Sequence, residues 1–200
     1  MCENEGAGLR DAAMAGGDTA KTAFQSLWQA YYRRLSVFAA LYRGLPSAER
    51  DDAVSDALIA AFSALASYDP RRPLSAWVYR IAANRFSDAA RRAARMSTIS
   101  VGPDVSADNA GEGFASRAFI DPPAQGDHAE ALVYRDLAER CRNAIAALPE
   151  SDRRIAMLRF YEDLSAVDIG RTLGMPAGTV RWRIHRIRAT LAATVGEDTP

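Results

Sequence analysis

Apolar residues recur along much of the chain at steps of three and four, the spacing of one face of a 3.6-residue helix. The first stripe is Phe24, Leu27, Trp28, Tyr31, Leu35, Phe38 and Leu41. It begins near Ala20, after a Gly-, Ala- and acid-rich stretch over residues 1–18 that reads as a frayed lead-in. Gly44-Leu45-Pro46 ends this helix, and Ser47 is placed to cap the next, whose stripe is Val54, Leu58, Phe62 and Leu65. Tyr68-Asp69-Pro70 breaks the chain again. Pro73 suits the first turn of a third helix, where its missing N–H costs nothing, and Leu74, Trp77, Val78 and Ile81 form the inner face. Three helices with short connections predict one compact helical domain over residues 20–96.

Residues 97–128 carry no sustained period and contain Gly102-Pro103, Gly111, Gly113, Pro122-Pro123 and Gly126. Their length and composition predict a flexible linker rather than a loop within one domain. Helical spacing resumes near Ala129 with Leu132, Val133, Leu137, Cys141, Ile145 and Leu148, and Pro149 ends it. A helix through Ile155, Leu158 and Phe160 follows, then a compact pair, Ser165 to Leu173 and Ala177 to about Ala192. Gly174-Met175-Pro176 turns between them, and Ser165 with Asp168 resembles a capping box. In the longer helix Val180, Ile184, Ile187 and Leu191 face inward, leaving Arg181, Trp182, His185, Arg186 and Arg188 outside. A short helix, a tight turn and a longer basic helix predict a helix-turn-helix. The expected fold is therefore all-α: two small helical domains, the second spanning 129–195, joined by a flexible linker. Nothing in residues 97–128 would fix the orientation of one domain against the other, so loose coupling is expected.

The formal net charge is zero, from 25 basic and 25 acidic residues, which by itself argues against a polyanionic partner. The local distribution reverses that reading. Lys21 is the only lysine, and the arginines cluster: seven fall in residues 71–95 against Asp88 alone, and five fall in residues 171–188 with no acid. Residues 97–130 hold six acids and only Arg117. Local sign governs contact with nucleic acid, and an arginine fork fits both phosphate and a guanine edge.

Other chemistry finds little support. Cys2 and Cys141 have no metal-ligand spacing, and His128 and His185 are too scattered for a zinc site. The N-terminus lacks the basic and apolar regions of a signal peptide, and no apolar run approaches the roughly 20 residues of a membrane span. A cytoplasmic protein without cofactor or metal is expected, and no nucleophile–base constellation suggests an enzyme. On residues alone a one-component helix-turn-helix regulator and a protein-binding adaptor remain open. The regulator would normally dimerise to read two half-sites, and the adaptor would not need arginines on both exposed faces.

The two helical blocks together resemble the extracytoplasmic-function group of bacterial sigma factors. Asp52-Ala53-Val54-Ser55-Asp56 stands where members carry D-x-V-Q-E, and Tyr68-Asp69-Pro70, Leu74, Trp77, Arg80-Ile81-Ala82, Asn84, Asp88 and Arg91-Arg92 continue the pattern of sigma domain 2. Leu148-Pro149, Leu158 to Ser165, Asp168-Ile169-Gly170, Leu173-Gly174 and Gly178 to Ile184 follow that of domain 4. The resemblance implies a factor that binds core RNA polymerase, directs it to −35 and −10 promoter elements and promotes melting. It implies that Asp52, Ser55, Asp56 and Ile59 meet the clamp coiled coil of the β′ subunit, and that domain 4 meets the β flap. Arg80, Asn84, Arg85, Asp88, Arg91 and Arg92 would face the −10 element, with a base-trapping loop around Ser67–Arg72. Thr179, Arg181, Trp182, His185 and Arg186 would lie on the −35 duplex, with Arg171, Arg183 and Arg188 on phosphate. It further implies a monomer when free, held inactive by an anti-sigma factor that is often membrane-anchored. Two positions depart from the pattern: Ser55-Asp56 replaces Gln-Glu, and Trp182 replaces a small residue on the recognition helix.

Overall fold

The computed structural model describes residues 3–42, 44–100, 140–141 and 143–196, and the linker expected over 97–128 falls almost entirely outside them. The described residues are helical, with no strand among them. Helix α1 (Glu3–Ala15) is followed by α2 (Gly17–Ala39), α3 (Arg50–Ser63) and α4 (Leu74–Ser100). The second half comprises helical residues at 140–141 and 143–147 (α5), then α6 (Glu150–Ala156), α7 (Ala166–Leu173) and α8 (Ala177–Gly196).

The apolar stripes form the core as the spacing predicts. Leu27, Tyr31, Leu35, Phe38 and Leu41 are buried, and they meet Val54, Leu58 and Leu65 from the next segment and Leu74, Val78, Tyr79 and Phe86 from α4. Phe38 joins the helices, with its ring 5.0 Å from Tyr79 and 5.4 Å from Tyr42 in edge-to-face contacts. Each such side chain, fully buried, contributes about 1.5–3 kcal/mol. Phe24, Trp28 and Trp77 are only half-buried: the Phe24 and Trp28 rings lie 5.6 Å apart, tilted, at the edge of the core, and Trp77 leans 5.5 Å from Tyr68.

Two local expectations are corrected. Residues 3–15 form a helix rather than a frayed lead-in, because α1 packs along α2 and over the Leu65–Ser67 turn. Ser47 makes no capping hydrogen bond; it opens a short 3-10 turn to Glu49 that leads directly into α3. Phe160 is exposed in a π turn over Met157–Tyr161 that closes this helix, while Met157 and Leu158 are buried.

Gly6 explains how α1 sits so low. A Cβ there would lie 2.6 Å from the Tyr68 hydroxyl, so only glycine admits the ring beneath the helix. Gly6→Leu is therefore expected to lift α1, costing about 1–3 kcal/mol of its docking. Hydrogen exchange should then quicken in residues 3–15 while the Phe38 core stays protected; unchanged protection of α1 would refute the packing.

The helix-turn-helix is built as its sequence implies. Ser165 caps α7, its Oγ accepting from the Asp168 amide at 3.1 Å and donating to the Asp168 carboxylate at 2.6 Å. Gly174 closes the helix in the left-handed region at φ 67. Ile169, Val180, Ile184 and Ile187 are buried between α7, α8 and α6.

Candidate nucleic-acid interface

On α4, Arg80, Asn84 and Asp88 follow one another at steps of four, and all are exposed, as are Arg85, Arg91 and Arg92. The opposite face holds Ala82, Ala83, Phe86 and Ala89, all buried, so core packing orients the arginine face outward. Arg91 and Asp88 form an ion pair on that face. The Ser67–Arg72 loop at the start of α4 is braced from within: the Tyr68 hydroxyl donates to the Arg72 carbonyl at 2.6 Å, and the Asp69 carboxylate accepts from the Arg71 amide at 3.1 Å. On α3, Asp52, Asp56 and Ile59 are exposed; Ser55 is half-buried and turns its hydroxyl onto the Asp51 carbonyl at 2.8 Å. Ile59 and Asp56 line a shallow depression with Arg85, so the face implied for the clamp adjoins the arginine face of α4.

On α8, Thr179, Arg181, Trp182, His185, Arg186 and Arg188 are exposed, Trp182 by 61 %. Their chemistry is not uniform. The Arg186 guanidinium lies 4.7 Å over the Trp182 ring and pairs with Asp152, a carboxylate only 1 % exposed. Arg183 is half-buried and donates to the same Asp152 at 3.1 Å and to Ser151 Oγ at 2.7 Å, so it braces α8 against α6. Arg188 lies 5.7 Å from the Phe160 ring. Arg171 is exposed on α7 and pairs with Asp168 at 3.5 Å.

Loose coupling of the halves is not what the structure shows. One contiguous hydrophobic cluster runs from Leu27 to Ile187, and α7 packs directly on α4. At the seam, the Glu162 side chain is fully buried. It accepts from Arg34 of α2 through both carboxylate oxygens, the Nε contact at 2.9 Å, and from the Tyr79 hydroxyl of α4 at 2.7 Å. Glu162 is presented by a tight turn in which Asp163 takes a left-handed φ of 49 and accepts from Arg159 at 2.8 Å. Burial lowers the pKa of Arg34, but the hydrogen bond and charge of Glu162 more than offset this and leave it raised. Burial, then the Glu162 charge, raise Tyr79 well above the ordinary 10.0, so it stays a neutral donor. Arg154 of α6 lies 4.3 Å over the Tyr42 ring, and the buried Thr172 hydroxyl sits 3.4 Å from the Ala76 carbonyl. Arg171 thereby shares a crevice with Arg72, Trp77 and Arg80, and Glu162 to Leu164 line a cleft with Tyr68 and Arg72.

The pattern of the sequence carries no direct signal for these partners, since Arg34 and Glu162 are 128 residues apart.

Comparison with known proteins agrees with this architecture. Residues 27–96 match the family described as Sigma-70 region 2, and residues 138–191 match Sigma-70, region 4. The ECF RNA polymerase sigma factor SigW of Bacillus subtilis is 34% identical over 78% of this chain and 80% of its own length. This chain is an extracytoplasmic-function sigma factor of the sigma-70 family. It is also similar to the RNA polymerase sigma factor CnrH of Cupriavidus metallidurans, at 31% identity over 78% of each chain. The solved structure of CnrH in complex with the cytosolic domain of CnrY superposes with a TM-score of 0.52 and 25% identity, covering 96% of this chain and 97% of that one. The sigma factor RpoE of Bartonella quintana, solved with the anti-sigma factor NepR, shares the fold with a TM-score of 0.58 at 21% identity, over 88% of this chain and 98% of that one. Sigma factors direct RNA polymerase and are not a family of enzymes, and the exposed arginine faces of this one lie on α4 and α8. No described helix is long and apolar enough to cross a membrane.

Proposed function

We propose that this sigma factor binds core RNA polymerase through Asp52, Ser55, Asp56 and Ile59, reads the −10 element with the arginine face of α4, and reads the −35 duplex with α8. The observation that carries this is the exposed basic face of α8, with Arg181, Trp182, His185 and Arg186 opposite the buried Val180, Ile184 and Ile187. The N-terminal half of a recognition helix with such a face enters a major groove. Arg80, Asn84, Arg85, Asp88, Arg91 and Arg92 would hold the −10 strand, and Arg171 and Arg188 the −35 backbone. The domain limits proposed are 20–96 and 129–195.

The packed arrangement is a resting form. Elements centred about 25 base pairs apart are separated by about 85 Å of straight duplex, whereas two domains of this size in contact extend about 60 Å. Promoter engagement therefore requires α7 to leave α4. The clamp face on α3 stays exposed in the packed form, so polymerase can take hold before the halves separate. A partner that grips both halves would oppose that separation. CnrH was solved with the cytosolic domain of CnrY and RpoE with the anti-sigma factor NepR, and an anti-sigma factor is proposed as a partner here on the same grounds. The site of action is with RNA polymerase in the cytoplasm.

The test is transcription in vitro from a promoter library by purified core polymerase with and without this chain. Initiation that depends on the chain and on a defined −35/−10 pair is expected. DNA binding without any change in initiation would instead favour a regulator.

A further inference from the structure

Asp152 is the one acid that touches the recognition helix arginines among the described residues, and the division of labour above gives it no task. A carboxylate only 1 % exposed is costly to bury unless it is paired and fully hydrogen-bonded. Here it is shared between Arg183 and Arg186, three positions apart on α8. The two partners differ in a way that separates their roles. The Arg183 side chain is 26% exposed and also held by Ser151, whereas that of Arg186 is 48% exposed at the DNA-facing surface.

Arg186 is therefore gripped from two directions. Its guanidinium lies 4.7 Å over the Trp182 ring, and one Nη donates to Asp152. A free arginine samples many rotamers and loses that freedom on binding. A guanidinium held between an indole and a buried carboxylate has already lost most of it, and its half-exposed remainder keeps N–H donors for a base edge. The matching edge is guanine O6 and N7, which accept two donors in the geometry of one guanidinium.

We propose that Asp152 is a positioning residue for promoter specificity: it fixes Arg186 against Trp182 so that α8 selects guanine at one position of the −35 element. The inference rests on the −35 reading of α8. It also gives Trp182, the departure from the family pattern, a task as the platform beneath Arg186.

The test uses holoenzyme reconstituted from core polymerase and the full chain, transcribing templates with the upstream element randomised. Wild type, Asp152→Asn, Arg186→Ala and the double variant are compared base by base. Wild type is expected to prefer guanine at one upstream position by about tenfold or more. Arg186→Ala abolishes that preference, Asp152→Asn reduces it at the same position about 3- to 10-fold, and the double variant loses no more than Arg186→Ala. Such non-additivity marks residues that act through one another. Equal preference in Asp152→Asn and wild type overturns the proposal. So does a loss spread evenly over all upstream positions, which would mark a merely structural carboxylate. Should Asp152→Asn melt early, Asp152→Ser takes its place in the cycle. If wild type initiates with no upstream preference, the −35 reading itself fails and the proposal falls with it; wild-type preference with an indifferent Asp152 variant overturns the proposal alone.

Discussion

Gly170→Val is expected to dismantle the helix-turn-helix and abolish upstream-dependent initiation. A Cβ at Gly170 would meet the Met175 carbonyl oxygen at 2.5 Å and the Ala177 amide nitrogen at 3.5 Å. Both are backbone atoms of the turn into α8, and the same turn is closed by the Met175 amide donating to the Gly170 carbonyl at 2.8 Å. No rotamer change can relieve such a clash; the turn itself has to open. Overpacking of this kind costs about 1–3 kcal/mol or more, and a branched side chain lies at the upper end. A domain of roughly 55 residues has only about 3–8 kcal/mol in hand. The variant should therefore lose protection from hydrogen exchange across α7 and α8, while α2 to α4 stay protected and the chain still binds core polymerase. Native-like protection of α8 in Gly170→Val would show that the close approach is not a constraint. Gly170→Ala, with the smaller side chain, should lie between the two.

The second large effect concerns the seam. Glu162→Gln keeps the shape of the side chain but removes the charge opposite Arg34. Removing one member of a buried, hydrogen-bonded pair is costly because the other is left uncompensated. Arg34 is partly exposed, with 26% of its side chain accessible, so the loss is discounted to about 1–3 kcal/mol. That corresponds to about a 5- to 150-fold shift away from the packed form. Small-angle scattering should report a larger radius of gyration for the free chain. Initiation at limiting concentration should rise more than affinity for the isolated clamp, because the α3 face is exposed in either form. A variant as compact as wild type, with unchanged initiation, would remove Glu162 as the lock.

Tyr79 sets the pH range of the same contact. Its folded pKa lies well above 10.0, so the stability it adds is present below 10.0 and lost only as pH rises through the raised value. The packed form should accordingly loosen in strong alkali, an effect Tyr79→Phe would remove; scattering across that range checks it.

Much of the molecule is legible in the residues. The stripe from Leu27 to Leu41, the breaks at Gly44-Leu45-Pro46 and Tyr68-Asp69-Pro70, and the Gly174 turn all follow from local rules: helical period, missing donors and left-handed backbone. These act between residues a few positions apart, so one chain segment contains all the information. The exposed arginine faces of α4 and α8 follow in the same way, as the complement of the apolar stripes.

The long-range pairings, and the places where local rules compete, are settled only by packing. Residues 3–15 are helical because Gly6 admits Tyr68 beneath them, which no property of that segment alone reveals. Glu162 finds Arg34 and Tyr79, and Asp152 finds Arg183 and Arg186, only once separate helices are stacked. Neighbours along the chain were enough to place the helices from α2 onward among the described residues and to say which faces carry charge. The packing of α7 on α4 determined which charges are buried and paired, because that depends on neighbours in space.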